Sequence, residues 1–245
     1  MARTRQNHME SSRRIAFTLM ELLIVMAIIG ALSGLLLPSL SKARKSAKRT
    51  QCLNRLRSLY ITHSHYIQDF GKFPDLNNDL DDGSWQYNYL IYDGEDFEQN
   101  FGPLIHEGMT DDLRIFFCPV QEDPFHMLNT PENPWPVVRN FDTRSGYARR
   151  FHLSGKSFSQ LKKTRAFVAD VFHLPKVVKT AHKRGVNVVY SDGHGQFVVA
   201  PKLLLKNDLA HPFDRFDNNV VRQIWKKLDY PNRDPKLRGT QIGGG

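Results

Sequence analysis

The chain predicts an α+β fold in which one long N-terminal helix packs on an antiparallel β-sheet head. Three observations lead there. An apolar run of membrane length, 17–40, continues into a stretch with helical periodicity. Short β-rich runs dominate the middle of the chain, two of them flanking Ser191-Asp192-Gly193-His194. Near the end, Asp217 to Leu228 reads as a short helix.

Residues Met1 to Ala16 are polar, carry Arg3, Arg5, Arg13 and Arg14 against Glu10, and have no apolar core of their own. From Phe17 to Leu40 the chain is apolar for twenty-four residues. As a helix at about 1.5 Å per residue this spans roughly 36 Å, enough to cross a hydrocarbon layer of about 30 Å. One carboxylate, Glu21, lies inside the run. A charge near a bilayer centre costs about 3 kcal/mol even on mild insertion scales, so Glu21 is expected to be functional and to meet a partner on another subunit. Pro38 removes one backbone hydrogen bond and is expected to kink the helix.

Beyond the apolar run, Ala43, Ala47, Cys52, Leu56, Leu59, His63, Tyr66 and Phe70 recur mostly every three or four residues, with Lys, Arg, Gln and Asn between them. That spacing predicts an amphipathic stem over 41–74. Run together, Phe17 to about Gln68 makes a helix of roughly 75 Å. His63, on the apolar face, reads as a core histidine. Gly71 and Pro74 are the stop signals.

In a secretory signal the small-residue cleavage site follows the apolar region, whereas here Ala16 precedes it. Cleavage at Ala16 would leave the membrane helix on the mature chain. Arg13-Arg14-Ile15-Ala16 followed by Phe17-Thr18-Leu19-Met20-Glu21-Leu22-Leu23, with Pro38 further on, resembles the type IV prepilin and type II secretion pseudopilin superfamily. Ala16 stands where that superfamily usually carries Gly. Tyr66 to Pro74 is similar to the stem ending of major pseudopilins.

The resemblance implies that a prepilin peptidase cuts 1–16 away as a leader and methylates the new amine of Phe17. Glu21 would then pair with the terminal amine of a neighbouring subunit, offsetting two desolvation costs and favouring one axial stagger. It also implies partners: other pilin or pseudopilin subunits, an inner-membrane assembly platform and the bilayer. Charge alone does not orient the segment, because Lys42, Arg44, Lys45, Lys48 and Arg49 follow it. The resemblance places the leader in the cytoplasm and the head in the periplasm. On the residues alone, a plain single-pass anchor whose Glu21 snorkels to the headgroups is the alternative.

The head is expected over 75–229, followed by a flexible tail, 230–245, ending in three glycines. Arg114 to Pro119, Gly146 to Phe151 and Arg165 to Phe172 read as strands; Val186 to Tyr190 and Gln196 to Val199 flank Asp192-Gly193, a strong hairpin signal. Segment 121–145, with four prolines, reads as an irregular loop.

His182, nine residues, then Asp192-Gly193 resembles a mark of one large bacterial subgroup of pilin-like proteins, as does Phe117-Cys118-Pro119. Two readings of that pattern stand. In one, Asp192-Gly193 makes a turn and His182 packs beside the hairpin. In the other, Asp192 with help from Asp170, His182 or His194 binds a divalent cation, zinc or manganese suiting such mixed donors and calcium needing more oxygens. Neither ion is required by the reading as a whole. The acidic loop Asp75 to Gly83 offers oxygens for calcium, but its spacing does not fit an EF-hand and a solvated turn is the preferred reading. Cys52 and Cys118 are the chain's two cysteines. They form either a disulfide across a loop of about 66 residues, contributing up to about 4 kcal/mol, or two buried thiols.

The sequence carries 34 Lys and Arg against 25 Asp and Glu. Its cations, from Lys42 to Arg49 and including Arg149, Arg150, Lys162, Lys163, Lys183, Arg184, Lys226 and Lys227, are spread over many elements, which favours a solvated surface or contacts with anionic lipid over nucleic-acid binding. There is no nucleophile elbow, HExxH, P-loop or GxGxxG. A metal-dependent enzyme would need Asp170, His182, Asp192 and His194 to converge in one cleft. What the resemblance implies is a pilin-like structural subunit of a type II secretion pseudopilus, with a type IV pilus subunit as the second choice.

Overall fold

The computed structural model of the protein describes residues 18–76, 88–97, 100–151, 153, 155–173, 175–199 and 218–230. Residues 1–17, with the expected cleavage site at Ala16 and Phe17, most of the acidic loop and the chain beyond Tyr230 lie outside the described residues. Helix α1 covers Leu19–Phe70 and runs through Pro38 without ending. It starts on a reciprocal cap. The Thr18 hydroxyl accepts from the Glu21 N–H at 3.2 Å, and Glu21 Oε2 accepts from the Thr18 N–H at 2.9 Å. Thr18 thus sits at the N-cap and Glu21 at N3, the arrangement that satisfies two orphan donors at once. At the other end the Gly71 N–H bonds Ile67 O at 2.8 Å.

The two parts of α1 belong to different compact units, which divide between Ser46 and Ala47. In the first, Leu19 to Leu40 expose their apolar side chains, and the helix is long and apolar enough to cross a membrane. In the second, Cys52, Leu53, Leu56, Leu59, Thr62, His63 and Tyr66 are buried. The predicted stripe is therefore real but shorter: Ala43, Ala47 and Phe70 are exposed. Phe70 lies instead against Tyr66, with ring centroids 4.4 Å apart. His63 is a core residue, fully buried between the edges of Phe101 and Phe167, with Nδ1 2.7 Å from Leu59 O.

Strand β1 (Leu90–Asp93) leads to the short helix α2 (Gly102–His106), and β2 (Asp142–Arg144) pairs back on β1. Strands β3 (Tyr147–Arg149) and β4 (Ala166–Asp170), helix α3 (Pro175–Ala181), then β5 (Gly185–Tyr190) and β6 (Gly195–Val199) follow. These four strands form one antiparallel sheet in the order β3-β4-β5-β6. Helix α4 (Asn218–Asp229) closes the described chain. The expected hairpin around Asp192-Gly193 is the β5–β6 connection.

Every residue of β4 and β5 is buried, because both faces of the sheet are covered. On one face Val186, Val188, Tyr190 and Val198 pack with Val221, Ile224, Trp225 and Leu228 of α4. On the other, Phe167 and Val189 pack with Leu53, Leu56 and Leu59 of the stem. The alternation of Val188 and Val189 between the two cores is the period-two geometry of a strand. Asp229 fastens α4 to the sheet. Its buried carboxylate accepts from Arg150, from Arg165 at 2.9 Å and from the Ala166 N–H at 2.9 Å.

Two expectations are corrected. Arg114 to Pro119 is not a strand; Leu113–Phe116 is a 3₁₀ turn capped by the Asp112 carboxylate on the Arg114 N–H. The short turn lets Phe116, Phe117 and Cys118 all face the core. Arg149 is not a surface cation but is fully buried, donating from Nη2 to Pro74 O at 2.8 Å. Burial pulls its pKa down to about 9.

The buried histidines make the head sensitive to acid. Burial pulls His63 down to about 3 and His126 down to about 4. Below about pH 6.5 the unfolded chain takes up protons that the folded chain refuses, so stability is lost as pH falls from about 6.5 toward those values. Each group contributes about 1.4 kcal/mol per pH unit inside that window. Thermal melts of the detergent-solubilised chain should fall steadily from pH 6.5 to 4.5, and His63→Phe should flatten part of that slope.

Candidate functional site

Four chemically active side chains meet beneath the sheet: Cys52, Cys118, Asp170 and His182, each offering one donor atom, all within 4.8 Å of one another. They come from four places. Cys52 lies on the buried stripe of α1, Cys118 follows the 3₁₀ turn, Asp170 ends β4, and His182 follows α3. The two cysteines and the carboxylate are buried, and the His182 side chain is only 5 % exposed.

Local backbone features put each one there. Gly146 lets the Cys118 segment pass close to β3, since a Cβ on it would meet the Cys118 nitrogen at 2.8 Å. Across that contact the Gly146 N–H bonds Phe116 O at 2.9 Å. At the end of α3, Lys183 adopts φ 60° and its N–H bonds Val178 O at 3.1 Å. A left-handed residue there ends the helix sharply and turns the chain into β5, leaving His182 beside Asn187.

The distances are short throughout. The sulfurs of Cys52 and Cys118 are 2.6 Å apart, and each lies 3.4 Å from His182 Nε2. Cys52 Sγ is 3.2 Å from Asp170 Oδ1 and 3.2 Å from the Tyr147 hydroxyl. His182 Nε2 is 3.2 Å from Asp170 Oδ2. Asn187 steadies that carboxylate, donating to Oδ2 from its backbone N–H at 2.6 Å and from Nδ2 at 2.9 Å; Nδ2 also lies 2.9 Å from His182 Nε2.

Charge is unevenly shared among these groups. Burial, then the Cys118 and Asp170 neighbours, push the Cys52 thiol well up. Burial also opposes ionisation of Cys118, but hydrogen bonds from Cys52 and His182 outweigh it and bring that thiol down to about 7. Burial works against the His182 cation too, yet the Asp170 carboxylate and Cys118 overcome it and hold the imidazole up to about 10. The cluster favours an imidazolium beside anionic oxygen and sulfur. Such a set can bond sulfur to sulfur or give its protons to solvent and take a cation.

The sequence-predicted metal set is split. Asp170 and His182 do meet, but Asp192 and His194 lie on the exposed β5–β6 turn, paired with each other at 2.5 Å. The two cysteines, expected only as a disulfide or as buried thiols, stand in their place. The nine-residue spacing of the His182 and Asp192-Gly193 pattern is the length of β5 plus a connection at each end. Its two halves do different work. Asp192-Gly193 makes the turn, with Gly193 at φ 83° and its N–H on Tyr190 O at 2.9 Å. With Asp170 and His182 committed to the core and Asp192 and His194 to an exposed turn, the convergence that a metal-dependent enzyme would need of these four residues is not met. Asn187 and Tyr147 were missed, because a lone Asn or Tyr in a β-rich run carries no local signal.

With the fold in view, the comparisons with known proteins bear on what it serves. The chain is 31% identical over 68 residues to the type IV major pilin protein PilA of Myxococcus xanthus (strain DK1622). That match takes in 28% of this chain and 31% of the pilin, so the chain spans under a third of that relative's length. The similarity and the helix-and-sheet architecture support a pilin-like subunit. No family model matches the chain. No solved structure matches it significantly.

Asp170→Ala would strip an acceptor from both Asn187 donors and leave His182 without its carboxylate, a loss of about 3–5 kcal/mol. Asp192→Ala, on the exposed turn, should cost about 1 kcal/mol or less. Urea unfolding of the detergent-solubilised variants checks the contrast.

Proposed function

We propose that the chain is a pilin-like structural subunit of a secretion-type pseudopilus, held in the inner membrane by the apolar part of α1 and assembled through it. The observation that carries this is the exposed apolar surface from Leu19 to Leu40 with one carboxylate, Glu21, among its first residues. Beyond its cap on Thr18, which an uncharged Gln could also close, a monomer gains nothing from an acid inside such a surface, whereas a filament gains a defined stagger from it. A prepilin peptidase would remove 1–16 and methylate Phe17. Other pilin subunits, an inner-membrane platform and the bilayer are the partners, and the head works on the periplasmic side in support of protein export.

The stem ending at Tyr66 to Pro74 supports the pseudopilus branch. The similarity to a type IV major pilin favours a second reading, a pilus serving adhesion, motility or DNA uptake. The two branches part on genetics: loss of a secretion ATPase should stop assembly in the first, and loss of a retraction ATPase should lengthen filaments in the second.

Glu21 has a local duty as well, as the partner of Thr18 in the helix cap. Glu21→Gln separates the two roles, because Gln can still close the capping box but cannot pair as an anion. In cells carrying the assembly machinery, Glu21→Gln is expected to stay in the membrane and drop out of sheared filament fractions. Filaments at the wild-type level would show that the charge is not what assembles them.

A further inference from the structure

We propose that Cys52, Cys118, Asp170 and His182 form a structural zinc site that staples the stem helix to the sheet. The assignment is independent of which filament, if any, the chain builds.

Geometry makes the first part of the case. With Zn–S near 2.3 Å and Zn–N or Zn–O near 2.0 Å, a tetrahedral site has edges of about 3.8 Å between sulfurs, about 3.5 Å between sulfur and nitrogen or oxygen, and about 3.3 Å between nitrogen and oxygen. Here both sulfurs stand 3.4 Å from His182 Nε2, Cys52 Sγ stands 3.2 Å from Asp170 Oδ1, and His182 Nε2 stands 3.2 Å from Asp170 Oδ2. With Oδ1 as the carboxylate donor and Oδ2 kept by Asn187, three edges of the tetrahedron are thus close to their final lengths. The sulfur pair, at 2.6 Å, is the edge that must open, by about 1.2 Å.

Donor chemistry makes the second part. A disulfide between Cys52 and Cys118 would need neither an imidazole nor a carboxylate, yet both are buried against the sulfurs. Asp170 and His182, 3.2 Å apart, can neutralise one another, but thiolates buried beside that carboxylate are costly unless a cation sits among them. A dication meets that need. Two thiolates and an imidazole with one carboxylate suit zinc over calcium or magnesium, and four protein ligands with no open position mark a structural site.

The support around the donors is the third. Asn187 holds Asp170 Oδ2 from both its backbone and its side chain, leaving Oδ1 to face Cys52. A carboxylate ligand held by a neighbouring amide in this way is a usual second layer around a bound metal. Loading is proton-balanced: each thiol still protonated and the His182 imidazolium give up their protons to solvent, His182 then binds as the neutral imidazole through Nε2, and no oxidant or reductant takes part. Because the ligands lie far apart in sequence, the ion closes long loops and its binding energy adds to folding.

The test is elemental analysis and intact mass of the full chain, purified in detergent without chelator or added metal. One zinc per chain is expected, with both thiols slow to alkylate until a strong chelator removes the ion and lowers the melting temperature. Cobalt(II) in its place should give thiolate charge-transfer absorption that Cys52→Ser or Cys118→Ser abolishes. Because those variants could unfold, Asn187→Ala is the gentler probe. It keeps the backbone bond to Asp170 and should weaken zinc binding by about 10-fold or more, with Asp192→Asn unchanged. A chain lacking zinc and lighter by two hydrogens overturns the proposal in favour of a disulfide. Free thiols that take up neither zinc nor cobalt overturn it outright, and so does one equivalent of a different metal.

Discussion

The structure depends on one helix having to satisfy two environments in turn. Up to Leu40, α1 shows apolar side chains around its whole circumference, which only lipid or other apolar helices can cover. From Cys52 to Tyr66 the same helix narrows to a stripe, and that stripe is the floor of the head's core. The sheet must therefore be apolar on the face that meets the stem and also on the face that meets α4. This explains why β4 and β5 contain hardly a residue suited to water and why their polar members, Asp170 and Asn187, need partners inside the protein.

That demand is met by concentrating polarity at one point. Asp170 comes down from β4, His182 from the end of α3 and Tyr147 from β3, all three to meet Cys52 on the stem, while Asn187 from β5 holds Asp170 and His182. A second polar knot, Asp229 with Arg150 and Arg165, ties α4 to β4 from the other side of the sheet. Apolar packing supplies most of the stabilisation, but it is not directional; these knots fix which residue meets which. The stem cannot slide by a turn without taking Cys52 away from its partners.

Much of this was legible in the residues. The membrane run, the stem with Leu56, Leu59 and His63 inside, the β5–β6 hairpin at Asp192-Gly193 and the final helix all rest on local periodicity or turn chemistry, and all are present in the described residues. The pairing of β1 with β2 was not legible, because three- and four-residue strands separated by about fifty residues leave no periodic trace. Arg149 was misread since a cation in a β-rich run looks the same whether its strand faces water or core. The site was half legible. Asp170 and His182 were grouped for their donor chemistry, and Cys52 and Cys118 for their chance of bonding, but that these are one group is a fact of tertiary placement, set by Gly146, Lys183 and the stem stripe. Asp192 and His194 were drawn in by proximity in sequence, which a hairpin turn points away from the core.

The central claim, that the apolar half of α1 exists to assemble filaments, is tested most directly at the residue where the mature chain would begin. Mass spectrometry of the N-terminal peptide of protein isolated from its native membrane should find a chain starting at Phe17 with one added methyl group. An intact Met1 to Ala16 segment on all of the protein, in cells whose prepilin peptidase is active on other substrates, would contradict it and leave a plain membrane anchor carrying this head.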